Sequence, residues 1–204
     1  MAIVGEEYCS AEERVLTVRK TSHFSPGDGF AAYDHRTGGL AFRADTYGRG
    51  HGGGAASAGE LALLGPAGEA LITKPLFSAR RSSILGGAAA GAVVELLAPV
   101  PASFSSTHAA AAELLRVDGS FPRRCCRVVA PKAESGGEAA VVAEIRRKVD
   151  EGARVVMGRD VFVLRVGAGF DAAFAMAIVL VLDQIAGDEA DGNAGEETNR
   201  AMIW

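Results

Sequence analysis

An all-β architecture, an antiparallel β-barrel enclosing one hydrophobic C-terminal helix, is what this 204-residue sequence predicts. Three observations lead there. Short β-type runs follow one another, separated by turns rich in glycine, proline and aspartate. One segment, residues 170–186, is apolar on every face and therefore demands burial on all sides. Its uncharged run from Ala172 to Leu182 is 11 residues, whereas crossing hydrocarbon takes about 20. A closed set of strands whose inward and outward residues alternate can surround such a helix.

Each element has its own signal. Residues 15–18 (Val-Leu-Thr-Val) read as a strand, followed by the turn Ser25-Pro-Gly-Asp-Gly. Strands at 30–34 and 40–45 flank Arg36-Thr-Gly-Gly, a hairpin connection. Further strands are expected at 60–64, 70–73, 76–81, 93–97, 125–129, 141–145 and 161–166. Two segments break the rhythm, the glycine-rich 48–59 and the alanine-rich, helix-compatible 108–115. Both read as insertions. Gly169 and Gly187 bound the helix, whose predicted core face carries Phe170, Phe174, Met176, Ile178, Leu180 and Leu182. Asp171 falls in the first turn, where a carboxylate complements the helix dipole and a capping role is expected, whereas Asp183 gains nothing from the dipole and has no account beyond a partner at the rim such as one of the inward bases. The organisation expected is an N-terminal extension over 1–13, a barrel domain over 14–186 and an acidic disordered tail over 187–204.

Composition removes several function classes. With 49% hydrophobic and 23% charged residues the chain can bury a core, which excludes a long disordered chain. Its 26 glycines lack a Gly-X-Y period and signal turns. From Gly187 onward five acids face Arg200 alone, which accounts for the whole net charge of −4. The body is charge-balanced, so no nucleic-acid partner is expected. Cys9, Cys125 and Cys126 have no zinc-type spacing, and the first residues lack the basic and apolar regions of a secretory signal. Free thiols and a cytoplasmic home follow as expectations, with the nucleus or the inner face of the plasma membrane as further locations.

No catalytic set emerges either. The four histidines are scattered without ligand spacing, and no Gly-x-Ser-x-Gly elbow occurs, so neither enzyme activity, metal nor cofactor is expected. Gly48-Arg-Gly-His-Gly-Gly fits a dinucleotide fingerprint in form only, since no helix follows it. Gly167-Ala-Gly follows a strand and opens a helix, but no second parallel strand comes after, and a tight turn into the core helix explains it.

What remains is a recurring pair of bases at strand ends: Arg19-Lys20, Arg80-Arg81 and Arg146-Arg147. By alternation Lys20, Arg81 and Arg147 share a face with inward residues and point to a barrel mouth, while Arg19, Arg80 and Arg146 point outward. Forked guanidinium donors and a compact ammonium suit a phosphorylated headgroup. Basic strand ends serve equally as solvated edge protection.

Several motifs then resemble one family. Gly27-Asp-Gly-Phe, Leu40-Ala-Phe-Arg, Phe77-Ser-Ala-Arg-Arg-Ser-Ser-Ile-Leu, Gly119-Ser-Phe, Glu144-Ile-Arg-Arg-Lys, Gly158-Arg-Asp-Val-Phe and Gly169-Phe-Asp-Ala-Ala, leading into Val181-Leu-Asp-Gln, resemble the plant LURP-one-related proteins in identity and order. The resemblance covers roughly residues 15–185. It implies a barrel around a hydrophobic helix, similar to the tubby C-terminal domain and to phospholipid scramblases. It further implies a plant source, a role in defence signalling and, through the tubby-like relatives, reversible phosphoinositide or anionic-membrane binding. Members of the family carry an additional strand pair with a tryptophan where only Lys74-Pro-Leu stands here, and the sole tryptophan is Trp204. Losing that pair either opens the barrel or forces its strands to re-close. Expected partners are therefore an anionic headgroup surface and unidentified proteins, without a stable transmembrane span. A tail anchor through 170–186 and a lipid-independent interaction scaffold are the alternatives.

Overall fold

A computed structural model describes residues 1–21, 29–47, 60–73, 76–82, 91–96, 114–131, 139–150, 152–187 and 200–202. The strands are β1 (Arg14–Lys20), β2 (Phe30–Asp34), β3 (Leu40–Tyr47), β4 (Glu60–Leu64), β5 (Phe77–Ser82), β6 (Gly91–Leu96) and β7 (Leu114–Ser120). They continue as β8 (Cys125–Val129), β9 (Val141–Arg147), β10 (Val149–Asp150), β11 (Val155–Val156), β12 (Val161–Val166) and β13 (Arg200–Met202), with the helix α1 (Ala172–Gly187) before the last. Eleven strands form one sheet in the order β13-β5-β6-β7-β8-β9-β12-β1-β2-β3-β4, and β10 and β11 pair separately as a hairpin.

The sheet wraps α1. Every residue from Ala172 to Leu182 is buried, and the helix packs against β3, β5, β12 and β13. Period-two alternation supplies the lining: Leu16 and Val18 of β1, Phe77 and Ala79 of β5, and Phe162, Leu164 and Val166 of β12 are all buried. Phe77 meets Phe174 edge to face, with ring centroids 5.1 Å apart. Truncating a side chain as enclosed as Phe174 costs about 3–5 kcal/mol. Phe170, Phe174, Met176, Ile178, Leu180 and Leu182 are buried, although Phe170 precedes the helix.

Asp171 also sits one residue ahead of α1 rather than in its first turn. Its Oδ1 accepts the Phe174 N–H at 3.0 Å as an N-cap. Its Oδ2 accepts the N–H groups of Ile3, Val4 and Gly5 at 3.0, 2.7 and 3.1 Å. The first residues, expected as an extension, thus fold onto the N-terminal end of the helix, and Tyr8 packs on Phe42. Gly169 adopts φ 74°, which lets the chain turn from β12 into α1.

Three expectations change. The sheet does not close among the described residues: β4 is one edge and β13 the other. β4 and β5, consecutive in the chain, are not paired with each other. Residues 70–73 form no strand, only a single bridge from Ala70 to Leu64. Leu114 and Leu115, expected at the end of a helix, begin β7, because the pairing of Leu115 with Val94 overrides helix propensity. The glycine-rich 48–59 and most of 108–115 lie outside the described residues, as does 188–199 of the expected disordered tail, while 200–202 of that tail pair with β5. Among the described residues no helix is long and apolar enough to cross a membrane.

Candidate functional site

The C-terminal half of α1 meets a charged end of the sheet. Lys20, the last residue of β1, reaches Asp183 with Nζ 2.6 Å from Oδ2, and its ammonium lies 5.4 Å from the centroid of Phe30. Arg124 approaches Asp183 from the other side, Nη2 to Oδ1 at 3.9 Å. Both carboxylate and guanidinium are buried, so each compensates the desolvation of the other.

Arg124 sits in the β7–β8 turn at φ 52°, a conformation that disfavours non-glycine residues. Its guanidinium holds it there. Nε donates to the Arg159 carbonyl at 2.9 Å, Nη1 to the Phe121 carbonyl at 3.4 Å, and Cζ stacks 4.1 Å from Phe121 and 4.5 Å from Phe162. Burial lowers its pKa and Asp183 opposes that shift. An arginine under these conditions stays charged.

Above this floor lies an open basin of about 860 Å³ on the face formed by β7, β8 and β9. Six guanidiniums line it, from Arg123, Arg124, Arg127, Arg146, Arg147 and Arg159, against the carboxylates of Asp118 and Glu144. Glu144 faces Arg127 across the β8–β9 pair at 3.0 Å and Arg146 two residues along its own strand at 2.8 Å. Burial pushes the Glu144 carboxyl up, but these two guanidiniums outweigh it and hold the pKa below the ordinary glutamate value. Arg123, Arg147 and Arg159 form no ion pair with any described residue, and all three are exposed. Cys125 lies at the rim, while burial pushes the thiol of neighbouring Cys126 up to about 12 and makes it inert.

A model of the LURP-one-related family matches residues 14–183, from the start of β1 to the carboxylate that Lys20 and Arg124 share. The chain belongs to the LURP-one-related family. Protein LURP-one-related 5 of Arabidopsis thaliana is 41% identical over 210 residues, covering 92% of this chain and 90% of that protein. Protein LURP-one-related 12 of the same plant is 37% identical over 210 residues, covering 92% of this chain and 84% of that protein. An X-ray structure of an Arabidopsis thaliana protein matches with a TM-score of 0.51 at 19% identity, over 91% of this chain and 98% of that one, a likeness of fold.

In this LURP-one-related chain the strand-end bases differ in their surroundings, and the side chain of Arg81 lies outside the described residues. Lys20 is turned inward and engaged by Asp183. Arg147, the last residue of β9 and the register partner of buried Phe162, is exposed at the strand end and lines the basin with Arg146. Its Nε donates to the Arg123 carbonyl at 3.4 Å. Arg19 is exposed on the outer face of β1, and Arg80 is paired with Glu95 at 3.2 Å. Arg81 is opposite Ala92 in the β5–β6 register, and Ala92 lines a smaller depression with Leu182 and Ile185. Arg123, Arg124, Arg127 and Arg159 escaped the strand-end pattern because three of them lie in turns or beside them. The signal was present as Arg-Arg-Cys-Cys-Arg over 123–127, three guanidiniums in five residues.

Proposed function

We propose that this LURP-one-related protein is a non-catalytic module that binds a phosphorylated headgroup, that of a phosphoinositide, reversibly at the arginine basin, and that it acts in plant defence signalling from the cytoplasmic face of a membrane. The observation that supports it is that three of the basin's guanidiniums, those of Arg123, Arg147 and Arg159, are exposed and form no ion pair with any described residue. Arg123, Arg147 and Arg159 supply exposed forked donors, and buried Arg124 adds positive potential from below, where solvent screens it least. Lys20 belongs to the foundation, since its charge is matched to Asp183. The defence role rests on the family resemblance.

The test is flotation with phosphatidylcholine vesicles that contain or lack a phosphoinositide, followed by a salt wash. Binding is expected only with the phosphoinositide, weakening as salt screens the headgroup charge. Arg147→Glu combined with Arg159→Glu is expected to abolish it, and Arg19→Glu, outside the basin, to leave it intact. A folded protein that ignores every vesicle would overturn the reading in favour of a protein scaffold. Salt-resistant flotation with all lipids alike would point to an anchor instead.

A further inference from the structure

The β10–β11 hairpin exposes apolar side chains on both of its faces. Five large apolar side chains are exposed among the described residues, and four belong to this hairpin: Val149 at 49%, Val155 at 58%, Val156 at 51% and Met157 at 37%. Val149 and Val156 are cross-strand partners and share one face, while Val155 pairs with Asp150 and lies on the other. Neither face of the ribbon is therefore covered. A two-stranded hairpin with apolar residues on both faces gains little in water and is marginal by itself.

Charges of both signs surround it: Arg147 and Lys148 lead into the hairpin, Asp150, Glu151 and Arg154 belong to its turn region, and Arg159 and Asp160 follow it. The bases that face the basin from its foot are Arg147 and Arg159, both exposed. The Asp150 carboxylate at the turn is engaged by the Ala153 N–H at 2.9 Å. The Met157 N–H donates to the Lys148 carbonyl at 2.9 Å, which ties the base of the ribbon beside the guanidiniums. Apolar side chains projecting next to a cluster of bases are complementary to one environment in particular, the boundary between anionic headgroups and acyl chains.

We infer that the β10–β11 hairpin is a membrane-inserting element, which seats Val149, Val155, Val156 and Met157 among the acyl chains of an anionic bilayer while the adjoining arginines hold headgroups. The inference deepens the headgroup reading above and rests on it for the orientation of the molecule. The bases fix which face meets the membrane, and the valines make the attachment partly independent of salt.

Two measurements on the full chain separate the two ideas. Val155→Asp with Val156→Asp is expected to weaken binding to phosphatidylcholine vesicles carrying a phosphoinositide by about tenfold or more. Binding of soluble inositol hexakisphosphate, which needs only the basin, is expected to stay unchanged. Because the variant alters an exposed hairpin outside the main sheet, an unchanged melting temperature checks its fold. Independently, Val155→Trp in a Trp204→Phe background leaves one tryptophan, whose fluorescence vesicles with brominated acyl chains are expected to quench. Unchanged vesicle affinity of the aspartate variant, or bound protein whose tryptophan is not quenched, overturns the hairpin proposal. Dimers that form through the hairpin with no quenching assign it to a second copy and also overturn it. Failure to bind inositol hexakisphosphate while quenching persists overturns the headgroup reading alone.

Discussion

Asp171 closes one end of the core with a single carboxylate. It caps α1 through the Phe174 N–H and gathers three consecutive N–H groups from the first residues of the chain. Removing the acceptor leaves four donors to find other partners in a largely buried place. Asp171→Ala is expected to cost about 3 kcal/mol or more, read by chemical denaturation, with Asp171→Asn intermediate because it keeps one acceptor oxygen. A loss below about 0.5 kcal/mol would show that the cradle is dispensable. Sequence reading placed this residue correctly near the dipole, but the three N–H groups come from residues more than 160 positions away, and no local pattern announces such a contact.

Within the pair of β8 and β9, Glu144 restrains two of the basin's guanidiniums. Its depressed pKa means that its contribution to stability is fully present above the unfolded glutamate value, at about pH 4.3. The contribution is lost as pH falls through the lower folded value. Glu144→Gln is expected to bind inositol hexakisphosphate several-fold more tightly at neutral pH, since Arg127 and Arg146 are released. Calorimetry at neutral pH reads the affinity. Melting curves from neutral to strongly acidic pH should show the stability gap between wild type and variant vanishing at the acid end. Weaker binding by the variant would mean that Glu144 positions its arginines for the ligand instead of withholding them. The strand-end bases in β9 were legible as a chemistry, because paired arginines are rare enough to notice, but the turn arginines that share the basin with them were not. The β10–β11 hairpin escaped entirely, since Val149 and the Val155-Val156 pair are separated by a charged turn and are too short for a periodic signal.

At the scale of the molecule, period-two runs made most of the strands readable, and the all-round apolar helix made their common purpose readable. Closure was the part that sequence could pose but not decide. β4 and β5 are not joined, and the short β13 covers the edge of β5 and touches α1. A chain truncated after Asn199 is expected to melt several degrees lower and to aggregate with rising concentration, because the exposed β5 edge is a template for another strand. Equal stability and monomeric light scattering in the truncated chain would show that β13 contributes nothing.

The pairing of β1 with β12 has a consequence for how the protein comes into being. Leu16 is bonded in register to Leu164, and the helix that fills the sheet follows immediately afterwards. During synthesis the N-terminal strands leave the ribosome long before either their neighbour or their core exists. The nascent sheet must wait with its greasy lining uncovered, and native structure arrives as one late event rather than strand by strand. A premature stop anywhere before α1 yields a polypeptide with no core to fold around.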